Sequence, residues 1–175
     1  PIRNEHNSGT YACRNRAAQV SRGEYLTCND SDDWAHPERI ERQMKAILSD
    51  ADIVASFSHM VRVTDSGYFP LRAAGRYSRH NDSSLLFHKE KVLHKIGFWD
   101  DVRVGADSEY ISRLNTVFGK QAVVTLPEIL MLCNHRATSL SRDPDVGVNA
   151  NGISDARANY RKAYTDWHES LTKGA

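Results

Sequence analysis

The sequence predicts an α/β domain, and three observations carry that prediction. Short runs with strand character alternate along the chain with segments of helical periodicity. The helical segments end on glycines, at Gly23, Gly97 and Gly119. One strand, ending at Cys28, runs straight into three carboxylates, Asp30, Asp32 and Asp33. In open α/β sheets the carboxyl ends of strands are where ligands bind.

The elements follow in order. Ser8 or Thr10 caps a first helix that runs to about Val20, and Tyr25-Leu-Thr-Cys28 is the strand after it. Pro37 opens a second helix, Glu38 to Ser49, in which Ile40, Met44, Ile47 and Leu48 recur at helical spacing. Ile53 to Phe57 is a buried-strand candidate, and Met60 to Val63 extends it or pairs with it. Tyr68 to Asn81, with Gly, Arg and aromatics but no period, reads as a functional loop. Ser83 to Phe87 is a strand, His88 to Ile96 a short helix, and Phe98-Trp-Asp-Asp101 a turn. Asp107 starts a helix with Tyr110, Ile111, Leu114 and Phe118 on one face. Two strands, Gln121–Leu126 and Ile129–Cys133, flank Pro127-Glu128. After a polar gap from Ser141 to Ser154, a last helix from Asp155 to Leu171 carries Tyr160, Tyr164, Trp167 and Leu171 on one stripe, which packs on the core or on a further portion of the protein. These elements divide into a body over residues 1–142 and a linker with an amphipathic helix over 143–175.

Composition narrows the function. A chain of 175 residues supports one domain with a sizeable core. The net charge of +1, with no Lys/Arg block, argues against a nucleic-acid binder. No apolar run approaches a membrane span. Cys13, Cys28 and Cys133 are too scattered for a disulfide framework or zinc site and read as buried, reduced thiols, which fits a cytoplasmic setting, free or at the inner face of a membrane.

Three carboxylates within four residues repel one another unless a cation or basic partner neutralises them. Oxygen ligands crowded at a strand end suit Mg²⁺ or Mn²⁺, and so a metal–phosphate site. An EF-hand counted from Asp30 fails, because Ala35 stands where Gly is needed and Pro37 falls inside the loop.

Several short motifs stand in a recognisable order. They are Gly9-Thr-Tyr-Ala-Cys-Arg-Asn15, Arg22-Gly-Glu-Tyr-Leu26, Asp30-Ser-Asp-Asp33, Ser84-Leu-Leu-Phe-His-Lys-Glu90, Lys95-Ile-Gly-Phe-Trp-Asp100, Gly105-Ala-Asp-Ser-Glu109 with Arg113, Pro127-Glu-Ile-Leu130 and His135-Arg-Ala-Thr-Ser-Leu-Ser141. Together, from residue 9 to about 142, they resemble the middle and closing parts of a family 2 GT-A glycosyltransferase. The family's opening βαβ portion, with its Pro-x-Tyr-Asn and Val-Asp-Asp segments, has no counterpart here. The resemblance therefore implies a partial GT-A mixed sheet flanked by helices. Alone, such a piece holds an incomplete donor site, is expected to be inactive, and leaves surfaces that favour homo-oligomers.

The resemblance implies a metal-dependent, hexosyltransferase-like enzyme of polysaccharide biosynthesis. It would move a sugar with inversion from a nucleotide-diphosphate donor, UDP-sugar first, to a hydroxyl of a glycan or lipid-linked acceptor. Asp30 and Asp32 correspond to its DXD element and would ligate Mn²⁺ or Mg²⁺, which neutralises a diphosphate leaving group. Asp33 is an alternative cap for the helix near Pro37. Asp107 corresponds to the catalytic base, although Ala106 replaces the Glu that usually precedes it. Arg14 and Asn15 support the nucleotide pocket's wall. His135 and Arg136 bring positive charge towards the diphosphate. Glu109 and Arg113, four apart, pair on a helix surface. Trp99 anchors its turn or shelves the acceptor.

Two other classes compete. A Mg²⁺-dependent phosphohydrolase would use Asp30 as nucleophile and Asp32 as acid/base, but Trp34 and the absence of a Thr or Val after the second Asp speak against it. A non-catalytic glycan-binding or assembly module would explain Ala106.

Overall fold

The computed structural model describes residues 2–71, 75–136, 139–140, 143, 145–149 and 152–173. A mixed sheet forms its centre. Strand β3 (Ala55–Val63) pairs in parallel with β6 (Val123–Asn134), and the other pairings are antiparallel. The order is β1 (Tyr25–Thr27), β5 (Leu86–His88), β3, β6 and β2 (Trp34–Ala35), with β4 (Ser78–His80) also on β3. Helices α1 (Gly9–Val20), α2 (Arg39–Leu48), α3 (Lys89–Ile96), α4 (Ala106–Phe118) and α5 (Asp155–Lys173) flank it. A separate antiparallel pair of strands, β7 (Val148–Asn149) with β8 (Gly152–Ile153), lies in the predicted polar gap.

The expected α/β architecture is present, with local differences that have physical causes. The two strand candidates before residue 64 are one nine-residue strand. The two around Pro127-Glu128 are one strand as well. The register against β3 jumps from Leu126 to Ile129, so Pro127, with no N–H to offer the ladder, falls in a bulge. The Tyr68–Asn81 stretch ends in β4. The predicted strand from Ser83 starts instead as a 3-10 turn, Asp82–Ser84, between β4 and β5. Asn81 caps that turn by accepting from the Ser83 amide at 3.1 Å, and Ser84 Oγ accepts from the Ser58 amide at 2.9 Å. The edge of β3 is thus satisfied by a side chain where the neighbouring strand breaks.

The main core gathers Phe57, Phe87, Val92, Ile96, Tyr110 and Leu114 between the sheet and helices α3 and α4. Trp99 joins them, stacked on Tyr110 at 4.4 Å and edge-on to Phe87 at 5.9 Å. Each such aromatic pair adds roughly 0.5–1.5 kcal/mol beyond its burial. Trp99 is 4% exposed, which makes it an anchor and not a shelf for a ligand.

Helix α2 keeps half of its expected face. Ile47 is buried and Met44 half-buried, but Ile40 and Leu48 are exposed, and Arg39 and Gln43 take buried places beside Ile47. Gln43 Nε2 donates to the Ser84 carbonyl at 2.8 Å and the Ser56 carbonyl at 3.0 Å, while Arg39 donates to the carbonyls of Ser84 and Cys28. Backbone acceptors left open beside the 3-10 turn draw these polar side chains inward. Cysteines differ too. Cys133 is buried and Cys28 half-buried, but Cys13 is exposed on α1, where its sulfur accepts from Asn4.

Glu109 and Arg113 do pair, yet not on a surface. Glu109 is fully buried and accepts from Arg113 Nε at 2.8 Å and Nη2 at 2.6 Å. The partner that buries them, His168, comes from α5. On that helix Tyr160 and Tyr164 face inward, Trp167 is half-exposed, and the Leu171 side chain lies outside the described residues.

Candidate functional site

The carboxylate loop is held at both ends by sheet pairing. Tyr25–Thr27 pairs with β5, and Trp34–Ala35 pairs with Met131 and Leu132 of β6. Between them the chain turns on a hydrogen bond from the Asp33 amide to the Asp30 carbonyl, 3.1 Å. Asp33 does not cap α2. Its Oδ1 accepts from the Asn134 amide at 3.0 Å, fastening the loop to the end of β6. That leaves Asp30 and Asp32 as the carboxylates turned to the cleft.

Arg14 projects from α1 between two carboxylates that are remote in sequence. Its Nη2 donates to Asp30 Oδ1 at 2.9 Å, and its Nη1 donates to Asp107 Oδ1 in a short contact. Burial works against the guanidinium's charge, but the flanking carboxylates override it, so the arginine holds its proton more tightly than usual. Burial also raises Asp30's affinity for a proton, and Arg14 opposes that effect. Tyr11, one helical turn before Arg14, donates from its hydroxyl to Asp107 Oδ2 at 3.0 Å.

Asn15 does different work. Its amide donates to the Trp99 carbonyl at 2.8 Å and accepts from the Trp99 amide at 3.0 Å. This reciprocal pair ties α1 to the turn that precedes α4. Asp107 sits in the first turn of α4, where the helix dipole favours a carboxylate. Gly105 precedes it at φ +89°, and Ala106, fully buried, is packed in the core. The position where the family carries Glu therefore faces inward here.

Arg14, Asp30, Asp32 and Asp107 line one open cleft of about 1480 Å³ between α1, the carboxylate loop, β4 and the starts of α4 and α5. Arg136 lies at the carboxylate end, its Nη1 3.9 Å from Asp32 Oδ2. His135 continues the end of β6 through its amide, which donates to the Val63 carbonyl at 2.8 Å. The next residues of that motif, Ala137, Thr138 and Ser141, lie outside the described residues.

Several cleft residues carried no sequence signal. Asp82, on the 3-10 turn, has its carboxyl pushed up to about 6 by burial and by the negative charge of Asp107. His80, beside it on β4, is pushed down to about 4 chiefly by burial, with Arg79 next to it adding to the effect, so it is neutral at physiological pH. The 3.4 Å approach of His80 Nε2 to Asp82 is consequently not an ion pair. From α5, Tyr160 donates to Asp100 Oδ2 at 2.7 Å and packs its ring against Gly105. Tyr11 was within reach of sequence reasoning, since it shares a helix face with Arg14, and Tyr160 and His80 fell in the predicted last-helix stripe and functional loop without a role at the cleft.

Among the described residues no group of three or more His, Cys, Asp or Glu side chains forms a ready metal cage, and no helix is long and apolar enough to cross a membrane. The family model described as glycosyl transferase family 2 matches residues 1–100. The uncharacterized glycosyltransferase MJ1057 of Methanocaldococcus jannaschii is 39% identical over 66 residues, covering 38% of this chain and 23% of that protein. The putative glycosyltransferase EpsH of Bacillus subtilis is 34% identical over 50 residues, covering 29% of this chain and 14% of its own length. The chain thus spans under a quarter of the length of either of these relatives.

Proposed function

The chain belongs to glycosyl transferase family 2, and from that premise we propose that it carries the metal-binding and acceptor sides of a site that transfers a sugar from a nucleotide diphosphate to a hydroxyl. One observation carries the reading. Arg14 binds Asp30 and Asp107 at once, so the DXD-like loop and the acceptor-side carboxylate face one cleft in fixed relation. Donor diphosphate and acceptor hydroxyl must meet in such an arrangement for in-line displacement.

Asp32 and Asp30 would hold Mn²⁺ or Mg²⁺. Such ions keep several waters and bind through one or two carboxylates plus substrate phosphates, so a two-carboxylate loop suits them without a third protein ligand. When bound, the metal would neutralise charge on the leaving diphosphate. Arg136, and His135 beside it, would add positive charge at the same end. Asp107 is the carboxylate that meets the acceptor hydroxyl, on a glycan or a lipid-linked chain. Asn15 holds the wall behind it through Trp99. In this reading residues 1–142 supply the chemistry and 143–175 close the acceptor end through Tyr160. A UDP-sugar is the first donor to try.

A phosphohydrolase acting through Asp30 is the weaker reading, because an ion pair to Arg14 blunts that carboxylate as a nucleophile. Calorimetric titration with Mn²⁺ and UDP, separately and together, tests the proposal beside the Asp30→Asn/Asp32→Asn variant. Binding of UDP that requires Mn²⁺ and disappears in the variant supports it. Binding of UDP without metal, or unchanged in the variant, overturns it.

A further inference from the structure

Resting on that reading, with Asp107 as the carboxylate that takes the acceptor's proton, we propose that Tyr11 is a positioning residue for Asp107. From the first turn of α1 it acts together with Arg14 to stop that carboxylate from turning, so that its open lone pairs stay presented to the acceptor hydroxyl.

The contact is fixed from both sides. Tyr11 is 7% exposed and belongs to the main core, so its ring is held by packing. Its hydroxyl donates to Asp107 Oδ2 at 3.0 Å, while Arg14 donates to Oδ1. The Arg14 guanidinium in turn lies 5.7 Å from the centre of the Tyr11 ring, within cation–π range. Tyr11, Arg14 and Asp107 therefore constrain one another in a closed triangle. The last torsion of an aspartate is soft, and a carboxylate held by one oxygen still swings about it. Held by both oxygens, it does not. Each oxygen has two acceptor sites, so each keeps one for an incoming hydroxyl. The Asp107 side chain is 27% exposed on the wall of the cleft, which leaves those sites within reach.

Tyr11 stays a donor throughout. Burial first, and then the Asp107 charge, tighten the phenol's hold on its proton, so it does not compete with Asp107 as the base. A hydrogen bond donated to a carboxylate also favours its charged form. The groups facing Asp107 make that contribution matter. They are Arg14 with Tyr11 on α1, the Cys28 thiol and Asp30 at the end of β1, and Asp82 on the 3-10 turn. Asp30 and Asp82 repel a second negative charge, and the phenol adds to the one arginine that opposes them.

The step balances without a further reactant. The hydroxyl oxygen's electron pair forms the new bond to the anomeric carbon, and the bond from that carbon to the diphosphate oxygen breaks, leaving its pair on the nucleotide. The hydroxyl's proton passes to Asp107 and then to solvent through the open cleft, while Tyr11 keeps its own.

Tyr11→Phe in the full-length protein tests this, because it removes the hydroxyl and leaves the ring in the core. Release of UDP from UDP-glucose with Mn²⁺ and an oligosaccharide acceptor is followed from pH 5 to 9. The expected result is a roughly tenfold loss of kcat with KM little changed, and an acid limb moved up by about one pH unit. In an Asp107→Asn background the same change should cost nothing further, since Tyr11 acts through that carboxylate. Wild-type kcat with an unmoved acid limb overturns the assignment. So does an equal loss in both backgrounds, which would make Tyr11 a packing residue only. Either result leaves the transferase reading intact. Absence of Mn²⁺-dependent UDP binding in the wild type overturns that reading, and the assignment with it.

Discussion

His168 on α5 meets the fully buried carboxylate of Glu109 on α4, Nε2 to Oε1 at 3.0 Å. The same carboxylate takes both hydrogen bonds from Arg113, whose remaining donors reach the carbonyls of Ile96 and Phe98. One acid therefore joins the last helix, α4 and the Gly97 turn. Removing one member of a buried ion pair strands the other charge. Glu109→Ala is expected to cost about 3–5 kcal/mol in chemical denaturation. Glu41→Ala breaks only an exposed pair with Lys45 and should leave the denaturation midpoint nearly unchanged. Equal losses in the two variants would refute the buried network.

Asp32 and Asp33 are neighbours with opposite duties. Asp33 satisfies the Asn134 amide, so Asp33→Ala leaves a part-buried donor open and should destabilise the fold by about 1–2 kcal/mol. Asp32 faces the cleft, where among the described residues Arg136 approaches it at 3.9 Å, and Asp32→Asn should change stability by less than about 0.5 kcal/mol. In calorimetry with Mn²⁺ and UDP the order inverts: Asp32→Asn abolishes metal-dependent binding, and Asp33→Ala weakens it only through the loop's looser anchorage.

Asp82 makes stability depend on pH. Its carboxyl stands at about 6 in the fold against an ordinary 3.8, so the native state binds this proton more tightly than the unfolded chain. Stability then falls as pH rises from about 4 to 6, and the deficit is complete above that window. Asp82→Asn removes the ionisation, so it should be more stable than wild type at pH 7.5 and equal to it at pH 4. The gain is on the order of 1 kcal/mol, discounted because the side chain is partly solvated. Urea denaturation at both pH values measures it; a variant no more stable at pH 7.5 would show that the carboxylate is not strained.

Much of the frame was legible because it is local. Glycine stops and helical spacing located α1, α3 and α4, and the strand into Asp30 marked the cleft. Arg14, Asp30 and Asp107 were named from motif order, and the structure brings all three together. What was missed depends on partners distant in sequence. Strand β4 exists because β3 offers an open edge at His59–Val61, which no period within residues 68–81 encodes. Glu109 reads as a surface acid until His168 covers it. The polar face of α2 turns inward because Ser84 and Ser56 present carbonyls that apolar side chains cannot satisfy. Asp82 has no motif at all, and its character comes from a turn, a cleft and a neighbouring carboxylate.

Gly105 ties these levels together and gives the most discriminating variant. It enters α4 at φ +89°, where a side chain is strained, and a Cβ there would meet Tyr160 Cδ1 at 3.2 Å. Gly105→Ala is expected to lose about 1–3 kcal/mol of stability in thermal denaturation. Because Asp107 follows two residues later, UDP release should fall further than that loss explains at temperatures where the variant is fully folded. Tyr160→Ala separates the causes. Combined with Gly105→Ala, it relieves the contact with the ring but not the backbone strain, so the two changes should couple by roughly 0.5–1.5 kcal/mol. Strict additivity would mean that the glycine is required by its backbone alone, and that α5 does not press on the loop carrying Asp107.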